Sequence, residues 1–180
     1  MTRIPPLQFA HLGIHVFDLE KMLAFYTGVL GFVQTDSGEY YRGGRIVFLS
    51  ANPHEHHQIV LASGRVPGSP TLINQISFKV TDLASLKQTY EAIRAARLDD
   101  IAPRNHGNAW SIYFPDPEGN RIEIYATAPW YVRQPGFGRP LDMTKSVDEI
   151  LELTYAQVKD DPTYKPIEQW SAELAQRLQR

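Results

Sequence analysis

The chain states one pattern twice. HLGIHVFDLEKMLAFYTGVLGF, His11 to Phe32, is followed 64 residues later by QISFKVTDLASLKQTYEAIRAA, Gln75 to Ala96. Val16-Phe17-Asp18-Leu19 aligns with Val80-Thr81-Asp82-Leu83, Tyr26 with Tyr90, and His11 with Gln75. In each copy an alternating apolar run ends at Asp-Leu and passes into residues at helical spacing. A repeat of this kind constrains the fold more than local propensity does, because each copy is one supersecondary unit with an apolar face to bury. Two copies are too few for a solenoid. They predict one domain of two related modules, with the paired first strands as the place to look for a site.

Taken in order, the first copy begins with an alternation over Leu7–Phe17. Leu12, Ile14 and Val16 fall on one face, and His11, Gly13 and His15 on the other. Asp18 is the expected N-cap of a helix carrying Leu19, Met22, Leu23, Phe25 and Tyr26, which Gly28 or Gly31 ends. Phe32–Thr35, Tyr40-Tyr41, Arg45–Ser50 and His57–Ala62 read as short strands between Gly, Asn and Pro punctuation. Module one, 7–62, is thus β-α-β-β-β.

Ser63–Pro70 is the linker by composition, and module two, 71–127, repeats the order. Its first strand is Leu72–Val80, and its helix starts at Asp82 and runs to about Arg97. Further strands are expected at Ile101–Arg104, Ala109–Phe114 and Arg121–Ala126, with Pro115–Asn120 as the last hairpin turn. The two modules make a predicted domain of 1–127. Residues 128–180 form an extension: an aromatic arm, Pro129–Pro140, then helices of about Val147–Lys159 and Pro166–Gln179. Ser146 and Glu149 have capping-box spacing ahead of the first of these.

Composition narrows the function classes. A formal net charge of -2 gives no electrostatic reason for nucleic acid or an anionic membrane as partner. The absence of cysteine removes disulfides, thiolate metal sites and a cysteine nucleophile. No run approaches a membrane span and the first residues do not read as a signal peptide, so a cytoplasmic protein is expected. Strand parity puts His11, His15, Gln75, Ser111, Tyr113, Glu123 and Tyr125 on the faces turned from the helices. A solvated face is the ordinary fate of such parity, but His with Tyr is an unusual choice for one. His54, His56 and His57 crowd the run NPHEHHQIV, where histidines serve either as surface groups or as ligands and proton carriers.

The two Asp-Leu modules, HHQIVLA and DPEGNRIEIY together resemble the vicinal oxygen chelate superfamily, over Phe9 to about Ala126. That group includes glyoxalase I, fosfomycin and bleomycin resistance proteins and type I extradiol dioxygenases. The resemblance implies an α+β fold in which two paired βαβββ modules form a curved mixed sheet around a metal-binding cup. Within the superfamily, the chain is most similar to one-domain extradiol dioxygenases. Their first-strand metal His matches His11, and their Glu in G-x-x-x-E matches Glu123 after Gly119. Their acid-base His after a second His matches His57, and their Tyr ten residues before the Glu matches Tyr113. An H-x-N element matches His106-Gly107-Asn108, and PWYVRQP resembles the tail of some single-domain members. One position departs: where the family has its second metal His, this chain has Gln75.

The resemblance then implies a metal held by His11, Gln75 and Glu123, with Fe(II) first and Zn, Ni or Mn as alternatives. His57 would be the acid-base group unless it or His15 supplies a second imidazole. Tyr113 and His106 would hydrogen-bond the substrate or its oxygen adduct. Asn108, Trp110 and Tyr125 would contact the substrate, with Tyr131 and Phe48 as further aromatic lining. The implied reaction is extradiol ring cleavage of a catechol-type diol with O2, the partners are a small aromatic substrate and O2, and a homo-oligomer is expected. Two alternatives stand beside it: a glyoxalase-like isomerase or lyase with Zn or Ni, which Gln75 suits, and a binding protein of the bleomycin-resistance type without catalysis.

Overall fold

The structure is a computed structural model that describes residues 7–40, 43–135 and 138–178. Its first elements are β1 (Leu12–Val16), α1 (Leu19–Gly28), β2 (Val33–Glu39), β3 (Arg45–Ser50) and β4 (Ile59–Ser63). They form one mixed sheet in the order β1-β4-β3-β2, with β1 parallel to β4 and the other pairs antiparallel. The second set is β5 (Ile76–Lys79), α2 (Leu83–Ala95), β6 (Ala102–Asn105), β7 (Ala109–Pro115) and β8 (Arg121–Thr127). The extension adds β9 (Trp130–Tyr131), β10 (Arg139–Pro140), α3 (Val147–Val158), β11 (Lys165–Pro166) and α4 (Ile167–Leu178). The second sheet runs β10-β6-β7-β8-β5, and β11 pairs with β9. The βαβββ order is therefore present twice, as the repeat predicts. None of the described helices is long and apolar enough to cross a membrane.

Contacts divide the chain into two compact units. Unit one holds the described residues up to Leu72 together with Asp116–Gly119; unit two holds Ile73–Pro115 and the described residues from Asn120 onward.

Unit one is built on the alternation read from the sequence. Ile14 and Val16 are buried while His11, Gly13 and His15 stay exposed. Against them pack Met22 and Tyr26 from α1, with Val47, Leu49 and Leu61 from the neighbouring strands, all fully buried. Burying side chains of this size contributes about 1.5–3 kcal/mol each. The Asp18 side chain accepts from the Lys21 N–H at 3.0 Å and so caps α1. The turn Asp116–Gly119 joins this unit through Glu118. Its Oε1 accepts from the main-chain N–H groups of Phe17 at 2.6 Å and Asp18 at 2.9 Å, and its Oε2 accepts from Arg65 at 3.4 Å. Gly119 closes the turn at φ +79°, a conformation other residues rarely adopt.

Unit two repeats the device. Asp82 accepts from the Ser85 N–H at 2.8 Å at the start of α2, and Ser146 with Glu149 completes the predicted capping box on α3. Leu86, Ile93, Ile112, Phe114 and Ile122 form its core with Trp110. Thr154 of α3 ties the extension to the sheet, accepting from Trp110 Nε1 at 2.9 Å and from Asn105 Nδ2 at 3.0 Å.

Several boundaries differ from expectation. Gln58 and His57 precede β4 rather than opening it, because the Gln58 N–H and Oε1 are spent closing the 50–58 loop onto Leu49 and Ala51. β5 starts at Ile76, so Gln75 sits just before the strand, as His11 sits just before β1. α2 ends at Ala95, two residues before Arg97, whose positive φ of 54° takes the chain out of the helix. Tyr40 follows β2 without joining a strand; Tyr41, the Gly136–Phe137 part of the arm and Gln179 lie outside the described residues.

Candidate functional site

Unit one carries a histidine cluster over an apolar floor. The rings of His11 and His57 lie 4.2 Å apart, and Phe48 meets the His57 ring at 5.1 Å. His56 Nδ1 and His57 Nδ1 are 2.8 Å apart, within hydrogen-bond distance when one of them carries the proton. Partial burial, then the neighbouring rings of His11 and His56, holds the His57 imidazole below its usual pKa, so the ring is neutral at physiological pH. His15 lies against Tyr40 at 5.8 Å on the same face. His11, His15, His57, Tyr40 and Phe48 border a cavity of about 360 Å³. His54 stands apart from it, in the exposed loop.

Unit two carries a hydrogen-bonded chain centred on Glu123, in the middle of β8. Register sets Tyr113 of β7 and Ser77 of β5 opposite it on either side. Glu123 Oε2 accepts from Gln75 Nε2 at 2.7 Å and from Ser77 Oγ at 2.5 Å. Oε1 accepts from Ser111 Oγ at 2.8 Å and from the Tyr113 hydroxyl. Tyr113 OH in turn lies 3.0 Å from His106 Nε2. Burial works against ionisation of Glu123, yet the donors Ser77, Tyr113 and Ser111 outweigh it and hold the carboxyl below its ordinary pKa. Burial and the adjacent carboxylate push the Tyr113 phenol up to about 12, so it stays a hydrogen-bond donor. A second cavity of about 230 Å³ opens here, with Asn108, Tyr125 and His106 among its walls.

Two expectations are corrected. Trp110 is not lining: it alternates with Ser111 onto the opposite face of β7, is 1% exposed, and satisfies its indole N–H with Thr154. Tyr131 is engaged by the extension, stacked on Trp170 with ring centroids 5.3 Å apart. Conversely, Ser77 and Gln134 join the site. Ser77 shares the parity of Gln75, so the signal lay in the strand pattern. Gln134, whose Nε2 donates to the His106 carbonyl at 2.8 Å, has no such signal, because only the path of the arm brings it there.

The residues also fit a divalent metal by their chemistry. Glu123 is ionised and largely buried, and among the described residues its hydrogen-bond donors are neutral, with the Gln75 carboxamide beside it. Carboxylate and amide oxygens with imidazole suit a hard or borderline cation. Four donors occupy the lone pairs of the carboxylate, so an incoming cation has to displace one of them. Among the described residues no group of three His, Asp or Glu side chains is placed to hold a metal.

Comparison with known proteins points the same way. The model of the Glyoxalase/Bleomycin resistance protein/Dioxygenase superfamily matches residues 8–124. Biphenyl-2,3-diol 1,2-dioxygenases 2 and 3 of Rhodococcus globerulus are each 28% identical over 130 residues, 69% of this chain. The match spans only 64% of the length of each relative. Among solved structures, lactoylglutathione lyase from Agrobacterium tumefaciens is 18% identical with a TM-score of 0.52, over 68% of this chain and 96% of that one. The fosfomycin resistance protein FosX from Listeria monocytogenes, solved with Mn(II) and sulfate, is 22% identical with a TM-score of 0.53, over 70% and 95%. These two likenesses are of fold.

Proposed function

The chain belongs to the glyoxalase/bleomycin resistance protein/dioxygenase superfamily, and from that premise we propose that it is a metal-dependent dioxygenase performing extradiol ring cleavage of a catechol-type aromatic diol. The observation that carries this reading is the chain His106–Tyr113–Glu123, three polar groups hydrogen-bonded in series on one sheet face. The names of its Rhodococcus relatives, dioxygenases of biphenyl-2,3-diol, support it.

In this reading His11, Gln75 and Glu123 hold the metal, Fe(II) ahead of Zn, Ni or Mn. A bound ferrous ion would supply Lewis acidity toward the diol and the redox chemistry that O2 requires. The protein's part is proton handling and orientation. His57, neutral at physiological pH, accepts a proton from the substrate hydroxyl and returns it later. Tyr113 keeps its proton and offers it as a hydrogen bond, while His106 fixes the direction of that hydroxyl. Asn108 and Tyr125 border the substrate. Assembly as a homo-oligomer belongs to the same reading.

Gln75 favours a second reading, a glyoxalase-like isomerase or lyase using Zn or Ni, since the amide oxygen is a harder donor than imidazole. One experiment separates the two. Protein purified without oxygen is analysed for metal, then assayed for oxygen uptake with catechol and 2,3-dihydroxybiphenyl. Near-stoichiometric iron with diol-dependent uptake is expected. Zinc or nickel, with no uptake after ferrous reconstitution, transfers the case to the isomerase.

A further inference from the structure

A neutral imidazole carries one N–H and one bare nitrogen, and only the bare nitrogen can take a proton. For His57 to act as a base, that nitrogen has to be the one turned toward the cavity. Its contact with His56 bears directly on this. The two Nδ1 atoms lie 2.8 Å apart and the two ring centroids 5.1 Å. The second distance exceeds the first by the width of a ring, so both Nδ1 atoms lie along the line of centres. Two bare nitrogens would repel each other at this separation, and so would two N–H groups. One Nδ1 therefore donates and the other accepts.

The surroundings favour one direction. His57 is half-buried, packed against the rings of His11 and Phe48, and lines the 360 Å³ cavity with Val60. His56 is exposed and borders a different cavity of about 540 Å³, beside Asn52, His54 and Glu55 of the same loop. In either direction one ring donates through Nδ1 and the other keeps its hydrogen on Nε2, on the side away from the contact. That second N–H is better placed on exposed His56, where water accepts it, than on half-buried His57 over Phe48 and Val60. The proton between the rings then belongs to His57.

We propose that His56 is a positioning residue: its Nδ1 accepts the Nδ1–H of His57 and so holds His57 in the tautomer whose Nε2 lone pair is turned to the cavity. The inference deepens the dioxygenase reading and rests on it for the use of that lone pair, not for its presence. When the substrate hydroxyl gives its proton to His57 Nε2, the ring becomes an imidazolium and its bond to His56 becomes charge-assisted. The proton leaves again from the same Nε2. His56 neither gains nor loses one; it orients the base, as a third group does in other nucleophile–base arrangements.

The test reads the tautomer itself. Nitrogen-15 correlation spectra of the histidine side chains, recorded on the whole chain at about pH 8, where imidazole is neutral, show which nitrogen of His57 carries hydrogen. Expected in wild type is Nδ1–H with a bare Nε2. His56→Phe keeps a ring against Phe48 but offers no acceptor, and should move His57 mostly to the Nε2–H form. His56→Asp puts an acceptor oxygen where Nδ1 stood and should restore Nδ1–H. With 2,3-dihydroxybiphenyl, kcat should fall about 10- to 100-fold in His56→Phe with KM within about twofold, and recover in His56→Asp. An Nε2–H form in wild type, a tautomer unchanged in His56→Phe, or a kcat that variant leaves unmoved overturns the proposal. Absence of ring cleavage by wild type together with a His56-dependent tautomer would instead refute the dioxygenase reading and leave this one standing.

Discussion

Gln75 Nε2 lies 2.7 Å from Glu123 Oε2, so the residue that departs from the family pattern is the one that holds the family's carboxylate. The amide also donates to Ser77 Oγ at 2.9 Å, closing a small ring of three polar groups. Gln75 is therefore a donor that positions Glu123, and under the proposed function its amide oxygen is also a neutral ligand beside it.

Gln75→Ala removes both uses, and metal affinity should fall about 10- to 100-fold, the range seen when a supporting partner of a ligand is lost. Gln75→His should hold divalent metal at least as well as wild type and shift preference toward iron, since it restores an imidazole. Calorimetric titration with Fe(II), Mn(II) and Zn(II) checks both. Unchanged affinity in Gln75→Ala would remove Gln75 from the ligand set.

Tyr113→Phe deletes one donor to Glu123 and one partner of His106 together. With one donor fewer, the Glu123 pKa should rise, and the unfolding free energy should fall by about 1–3 kcal/mol. Urea denaturation gives the stability, and titration of the Glu123 carboxyl by NMR gives the pKa. A pKa that stays put would show that Ser77 and Ser111 suffice.

Glu118 is almost fully buried, and its three donors are the Phe17 and Asp18 N–H groups and Arg65. Glu118→Ala removes the acceptor of both N–H groups and the carboxylate beside Arg65, which keeps Ser69 as a partner, and should destabilise unit one by about 1–3 kcal/mol. Glu118→Gln keeps an acceptor for the N–H groups and should lose less. Denaturation midpoints of the two variants, compared at equal pH, decide it.

Asp82 has its pKa lowered by the main-chain and side-chain hydrogen bonds of Ser85. A depressed folded value stabilises the protein fully above the unfolded value and loses that contribution as pH falls through the folded one. Thermal stability should therefore drop on acidification below about pH 4. Asp82→Asn keeps a cap acceptor and should show a shallower drop over that range. Parallel pH profiles for the two proteins would contradict the assignment.

Periodicity and the repeat determined most of this protein. Strand parity separated Ile14 and Val16 from His11, Gly13 and His15 before any coordinate, because a pleated strand has only two faces. It likewise put Ser111, Tyr113, Glu123 and Tyr125 together, and the structure shows Glu123 and Tyr113 in hydrogen-bonded register. The caps at Asp18, Asp82 and Ser146 were legible because orphan amides make the same local demand at every helix start.

What the tertiary structure alone decided is how each side chain spends its hydrogen bonds and its surface. Trp110 reads as a lining aromatic until α3 arrives with Thr154 and buries it. Gln134 reaches His106 only by the course of the arm, and Glu118 of a hairpin turn finds the Phe17 and Asp18 amides just ahead of α1, about a hundred positions away. Local spacing carries no record of such partners. They are set when distant segments pack, since a buried donor or acceptor must find its complement wherever the chain brings one.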